Sequence, residues 1–141
     1  MENKIIQLDT DLLWEYVTGN VEAIELLTSD SFNVIALSAI TIAELIKGCG
    51  NKTKLLRLMK EIKDFYPIHI DTEISKEAID LIEKYHLSHN IGINDAYIAA
   101  TSLYYDIELA TCNTSDFQYI PDLKLLTHPV KPKRKGWDSF L

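Results

Sequence analysis

The stretch KIIQLDTDLLWEYV, residues 4–17, decides the fold. Its first five residues are short and apolar and stop at Asp9, the pattern of a buried strand. Thr10 then stands where a helix N-cap is expected, and Leu12, Leu13, Tyr16 and Val17 follow at helical spacing. A strand running straight into a helix is the repeating unit of an α/β protein. The rest of the chain repeats it. Gly19 and Asn20 break the first helix, and residues 21–27 read as a second short one. FNVIAL, residues 32–37, is the next strand, and Ser38 can cap a helix over 39–47, closed by Gly48 and Gly50.

Leu55, Leu58, Met59 and Ile62 recur at i, i+3, i+4 and i+7, which predicts an amphipathic helix over 52–65. Its other face carries Lys52, Lys54, Arg57, Lys60 and Lys63. Residues 66–70 read as a strand that tolerates Pro67 near its start. Asp71 or Thr72 can cap a helix whose inner face is Ile74, Ala78, Leu81, Ile82 and Tyr85. Asn94 can cap a helix from Asp95 to about Tyr105. Residues 107–111 and 123–126 complete the set of strands. Strands alternating with helices imply a mostly parallel sheet covered on both faces.

With 141 residues, 47% hydrophobic and 25% charged, the chain is sized for one domain with one sizeable core. A disordered tail, a collagen and a disulfide miniprotein are excluded. The net charge of −7 argues against holding nucleic acid by bulk positive charge. It leaves nucleic acid open as a substrate, because a metal ion reverses the field locally. Cys49 and Cys112 are far apart and form no CxxC, so free thiols in a reducing cytosol are expected. No signal peptide is visible at the start, and the uncharged stretch over 34–43 falls short of the about 20 residues a membrane span needs. A soluble cytoplasmic protein is the expectation. The chain divides into residues 1–127 and a basic, aromatic tail over 128–141, either packed on the same domain or an arm.

Four acids stand where acids are expensive. Asp9 ends an apolar strand, Glu44 is the only charge in SAITIAELI, Asp95 is the only charge between Ile91 and Tyr105, and Asp116 follows a strand inside TCNTSDF. A buried carboxylate without a partner becomes neutral or costs several kcal/mol. Lys47, three residues from Glu44, can pair with it; no Lys or Arg has helical spacing to Asp95. Singly, each acid has an ordinary role as strand end, first-turn acid or turn residue. Together they sit at or beyond the carboxyl ends of strands, where parallel sheets collect ligands. Oxygen donors without a His or Cys cluster suit Mg²⁺ or Mn²⁺, and such sites perform phosphoryl chemistry.

LDTDLLWEY, TIAELIKG, NDAYIAATSL and TCNTSDF, in this order and at these spacings, resemble the PIN-domain ribonucleases, and most closely the VapC-type toxins of bacterial toxin–antitoxin pairs. The resemblance spans about residues 4–126. It implies a three-layer α/β/α sandwich around a mostly parallel sheet and a Mg²⁺- or Mn²⁺-dependent endoribonuclease. It assigns Asp9, Glu44, Asp95 and Asp116 as catalytic metal ligands. Thr10, Thr111 and Asn113 become the polar residues that orient them. Asp11 replaces the family's usual Asn; it either joins these orienting residues and shifts metal preference by its charge or, as expected, points outward as a first-turn acid. A homodimer and a cognate antitoxin covering the site are implied as well. RNA would be steered by Lys52, Lys54 and Arg57, or by Lys133 and Arg134 of the tail; a solvated helix face accounts equally for the first group.

Weaker patterns compete. His86 and His89 have a zinc-like spacing but lack a third ligand of that type, so surface histidines are expected. Tyr97, Tyr104 and Tyr105 could stack bases but recur at helical spacing, as packing residues do. Trp14 and Tyr16 follow the first acid and could line the groove. Rival functions are a housekeeping PIN nuclease of RNA processing, a haloacid dehalogenase-like phosphatase suggested by DTD after a strand, and a non-catalytic RNA- or protein-binding module.

Overall fold

The computed structural model describes residues 4–132. Four parallel strands form one sheet in the order β3-β2-β1-β4. They are β1 (Ile5–Leu8), β2 (Val34–Ser38), β3 (Tyr66–Ile68) and β4 (Glu108–Ala110). Between β1 and β2 lie α1 (Thr10–Val17) and α2 (Val21–Thr28), and between β2 and β3 lie α3 (Ala39–Gly48) and α4 (Lys52–Ile62). The last crossover holds α5 (Thr72–His89) and α6 (Ile93–Tyr105). A single 3₁₀ turn, Thr114–Asp116, follows β4.

Alternation along each strand builds the three layers. Ile6 and Leu8 of β1, Leu37 of β2 and Ala110 of β4 face a core shared with α1 to α4. Ala36 of β2 and Leu109 of β4 face a second core beneath α5 and α6. Gln7 points to that second side from the centre of the sheet. It is fully buried, and its Nε2 donates to the Ile98 carbonyl at 2.9 Å and to Ser102 Oγ at 2.7 Å. These bonds tie the strand that leads into Asp9 to the helix carrying Asp95.

Several boundaries differ from the sequence reading. The N-cap of α1 is Asp9, not Thr10, and its carboxylate accepts from the Thr10 N–H. Gly92 rather than Asn94 caps α6, with no side-chain bond. Helix α4 stops at Ile62, three residues early, and the turn that follows seats Phe65 against Tyr16 with ring centroids 5.7 Å apart. The expected strand over 123–126 reaches the sheet only through a parallel bridge between Leu109 and Leu125. A turn at Pro121 and Asp122, the latter at a left-handed φ of 67°, delivers the segment beside β4, where Leu109 bonds Lys124 and Leu126.

The described part of the expected tail packs onto the body. His128 Nε2 lies 2.7 Å from the Thr111 carbonyl, and the Val130 N–H donates to His128 Nδ1. With Nδ1 accepting, Nε2 carries the proton and donates. Val130 is buried in the first core. The basic residues Lys133 and Arg134 lie outside the described residues. No described helix is long and apolar enough to cross a membrane.

Candidate active site

Strand direction brings the acids together. Residues leaving the carboxyl ends of β1, β2 and β4, with the first turn of α6, line a cavity of about 330 Å³. Asp9, Asp11, Glu44, Asp95 and Asp116 all line it, with Thr10, Asn113 and Trp14 between them. No Lys, Arg or His lines it among the described residues.

Asp9 is the most enclosed of these acids, only 6% exposed. Its Oδ1 accepts from the Thr10 N–H at 2.8 Å, and its Oδ2 accepts from Thr111 Oγ1 at 2.8 Å. Burial pushes its pKa well above the usual carboxylate range, and Asp11 and Asp95 push it further. The two hydrogen bonds act the other way by stabilising the ionised form.

Asp11 does not point outward. It faces the cavity, and its Oδ1 accepts from the Cys112 N–H at 3.2 Å, with Thr111 Oγ1 at 3.3–3.4 Å from its two oxygens. Burial raises its pKa as well, against those bonds. Solvent is the usual destination of a first-turn acid, but the loop after β4 offers this one two donors.

Thr10 Oγ1 donates to Glu44 Oε1 at 3.0 Å and lies 3.2 Å from the buried Thr41 Oγ1. Glu44 forms no ion pair with Lys47 among the described residues; it turns into the cavity instead. The pKa of Asp95 rises to about 6 through burial first, then through the charges of Asp116, Glu44 and Asp11. Asp116 is exposed on the 3₁₀ turn and accepts from Asn113 Nδ2 at 2.7 Å. Thr111 thus bridges two acids, Thr10 orients a third and Asn113 a fourth.

Sequence reasoning missed Glu15. It is 1% exposed, lines the same cavity and accepts from Asn20 Nδ2 at 3.0 Å. Its spacing of four residues from Asp11 puts both on one helix face, a signal the sequence did carry. The Cys112 thiol senses the same field. Burial, followed by Asp11, Glu15 and Asp9, pushes its pKa to about 12, which keeps it protonated and unreactive.

The other candidates separate. Lys52, Lys54 and Arg57 lie on α4 and do not line the cavity. Trp14 does line it, whereas Tyr16 packs toward the first core. Tyr97 packs against the second core, while Tyr104 and Tyr105 are exposed with their rings edge to face. His86 is exposed, and the His89 ring stacks on Tyr119.

The donor set fits a hard divalent cation. All its donors are oxygens, and several carboxylates lie in mutual repulsion with no cation lining the cavity. Among the described residues, no three acidic, His or Cys side chains already close around one point. Mg²⁺ does not need such a cage, because it keeps several waters and binds through one or two carboxylates.

The PIN domain family model matches residues 6–123. Ribonuclease VapC10 of Mycobacterium tuberculosis is 33% identical over 125 residues, covering 85% of this chain and 91% of the relative. Ribonuclease VapC of Rickettsia bellii is 31% identical over 104 residues, covering 70% and 76%. A solved toxin–antitoxin complex from Klebsiella pneumoniae contains a chain of the same fold, with a TM-score of 0.71 and 28% identity over 84% of this chain and 94% of that one.

Proposed function

The chain belongs to the PIN domain family, and from that premise we propose that it is a metal-dependent endoribonuclease, the toxin of a toxin–antitoxin pair. One observation carries the proposal: six carboxylates from four parts of the chain share one cavity in which no described cation offsets them. The similarity to VapC ribonucleases supports RNA as the substrate, and the likeness to a toxin–antitoxin complex supports a protein partner. The family match favours neither a phosphatase nor a binding module.

Asp9, Asp95, Asp116 and Glu44 would hold Mg²⁺ or Mn²⁺. When bound, the ion supplies the positive charge that an anionic phosphodiester and its attacking water need. The chain's own residues set the stage for it. Thr111 holds the Asp9 carboxylate in place through the 2.8 Å bond, and Thr10 does the same for Glu44 at 3.0 Å. Asp95, with a pKa near 6, changes protonation just below neutrality and so couples ligand binding to proton release. Asp116, exposed at the rim, is the acid best placed to meet incoming RNA.

An antitoxin segment presenting Arg or Lys would satisfy the same field and so inhibit. Lys133 and Arg134 follow Pro132, which lines the cavity, and are the cations we assign to phosphate steering. An RNA substrate and two free cysteines support a cytoplasmic location, and we expect it to act as a homodimer.

The test is cleavage of total RNA by the purified protein with Mg²⁺ or Mn²⁺, beside an EDTA control and Asp9→Asn. Discrete products that vanish in both controls are expected. Products that persist in EDTA or with the variant overturn the assignment.

A further inference from the structure

Beside the acidic cavity stands a group of three aromatic rings that the reaction chemistry leaves unused. His89 is the last residue of α5, where Asn90 at a left-handed φ of 50° ends the helix. Its ring lies 4.0 Å from that of Tyr119, with an interplanar angle of 14°. Tyr85 braces both edge-on, at 5.0 Å from Tyr119 and 5.7 Å from His89. Ser88 Oγ lies 2.7 Å from His89 Nδ1 and fixes the ring's rotation. Tyr85 and Tyr119 are half-buried, whereas His89 is exposed. Tyr119 follows Asp116 by three residues, and the first turn of α6 with Asp95 begins four residues after His89. Tyr119 also lies within reach of the charges of Asp95 and Asp116, which add to burial in raising its phenol pKa.

We propose that the stacked His89–Tyr119 pair is a platform for an unpaired nucleobase of the RNA, next to the bond that is cut. The proposal rests on the ribonuclease reading and adds how the substrate is held. Where the acids are not offset they repel phosphates, so a contact to an uncharged part of RNA adds binding strength without that cost. The face of a base is such a part, and single-stranded RNA is commonly held by bases stacked on Tyr, Phe or His. His89 presents an ordered ring in the open. Its orientation is set by Tyr119, Tyr85 and Ser88, so little side-chain freedom is lost when a base docks.

The probe is a set of single-stranded oligoribonucleotides, each with one 2-aminopurine at a different position, titrated with the full chain in EDTA. Stacking quenches the 2-aminopurine, and one or two positions are expected to quench strongly. His89→Ala should abolish that quench and raise KM for cleavage roughly tenfold, with kcat within about twofold. His89→Phe should restore both, because it keeps the ring and discards the imidazole chemistry. Because His89 is exposed, both variants are expected to fold, and circular dichroism checks this. Wild-type protein that cleaves RNA but quenches no position, or His89→Ala with an unchanged KM, overturns the platform. Absence of cleavage by the wild type instead overturns the ribonuclease reading, and the quench alone then decides the platform.

Discussion

The two edges of the sheet invite comparison. At the carboxyl edge, six acids line about 330 Å³. At the amino edge, Ile5, Val34, Tyr66, Tyr105 and Ile107 line a groove of about 570 Å³ with a mostly apolar wall. The larger hollow is not the one that gathers the six acids. The difference follows from strand direction. Helices α1 and α3 begin at the carboxyl edge, immediately after β1 and β2, and the N-terminal turn of α6 joins them. Helix N-termini carry partial positive charge that favours carboxylates. At the amino edge α6 ends instead, and two acids there, Asp106 and Glu108, are paired with Lys124 and Lys4. The partial charges fall short, however. Asp9, Asp11 and Asp95 keep raised pKa values, so the edge that gathers acids still lacks a full positive charge.

The largest expected effect of breaking this contrast comes from Asp95→Asn. RNA cleavage should fall by at least about 100-fold, since even residues that only orient metal ligands are worth 10–100-fold. The metal-free protein should become more stable by about 1–2 kcal/mol at pH 8, solvent screening of the partly exposed carboxylate included. The sign follows from linkage. Asp95 titrates near 3.8 when unfolded and near 6 when folded, so the folded state holds the extra proton between these values. Wild-type stability in EDTA should therefore fall as pH rises from about 4 through 6 and then level off. The raised pKa values of Asp9 and Asp11 act in the same direction. Denaturant midpoints across that range should show the decline in the wild type and a shallower one in Asp95→Asn. A rise in wild-type stability over this window would mean that the acids are not in mutual repulsion.

Thr111→Val sharpens the comparison without removing a charge. Valine matches threonine in shape but cannot donate to Asp9 Oδ2, and the carboxylate loses a bond that favours its ionised form. Affinity for Mn²⁺, measured by calorimetry, should weaken about 10–100-fold. An unchanged affinity would reduce Thr111 to a packing residue.

How much of this was legible in the sequence differs between the same two regions. Strand and helix positions follow from periodicity, and Ser38 and Asp71 cap α3 and α5 where the sequence places them. Asp9, Glu44, Asp95 and Asp116 stand out because each interrupts apolar sequence or follows a strand. Asp11 and Glu15 were hidden because a charged residue in a short helix looks like one meant for solvent. The loop after β4 and the side chain of Asn20 supply donors that turn them inward. His128 is beyond the reach of pattern, since its partner carbonyl at Thr111 lies 17 residues away across a loop. The basic stripe on α4 shows the converse: a regular charge pattern that lies on a helix face away from the cavity. Local rules find elements and isolated anomalies. They do not find bonds between loops.

Tyr66→Ser is expected to have the smallest effect, and it tests the other half of the comparison. Tyr66 is 62% exposed, opens β3 at the edge of the sheet and lines the amino-edge groove. Serine removes most of the side chain that walls the groove. Losing an aromatic residue from an edge strand should cost no more than about 1 kcal/mol, since strand propensities span about that range and exposed substitutions cost little. RNA cleavage should stay within about twofold of wild type, because no described residue lining this groove also lines the acidic cavity. A tenfold loss of cleavage with unchanged stability would break the comparison. The amino edge would then be a working surface, for a second stretch of RNA or a second copy of the chain, and apolar character alone would no longer mark the edge as silent.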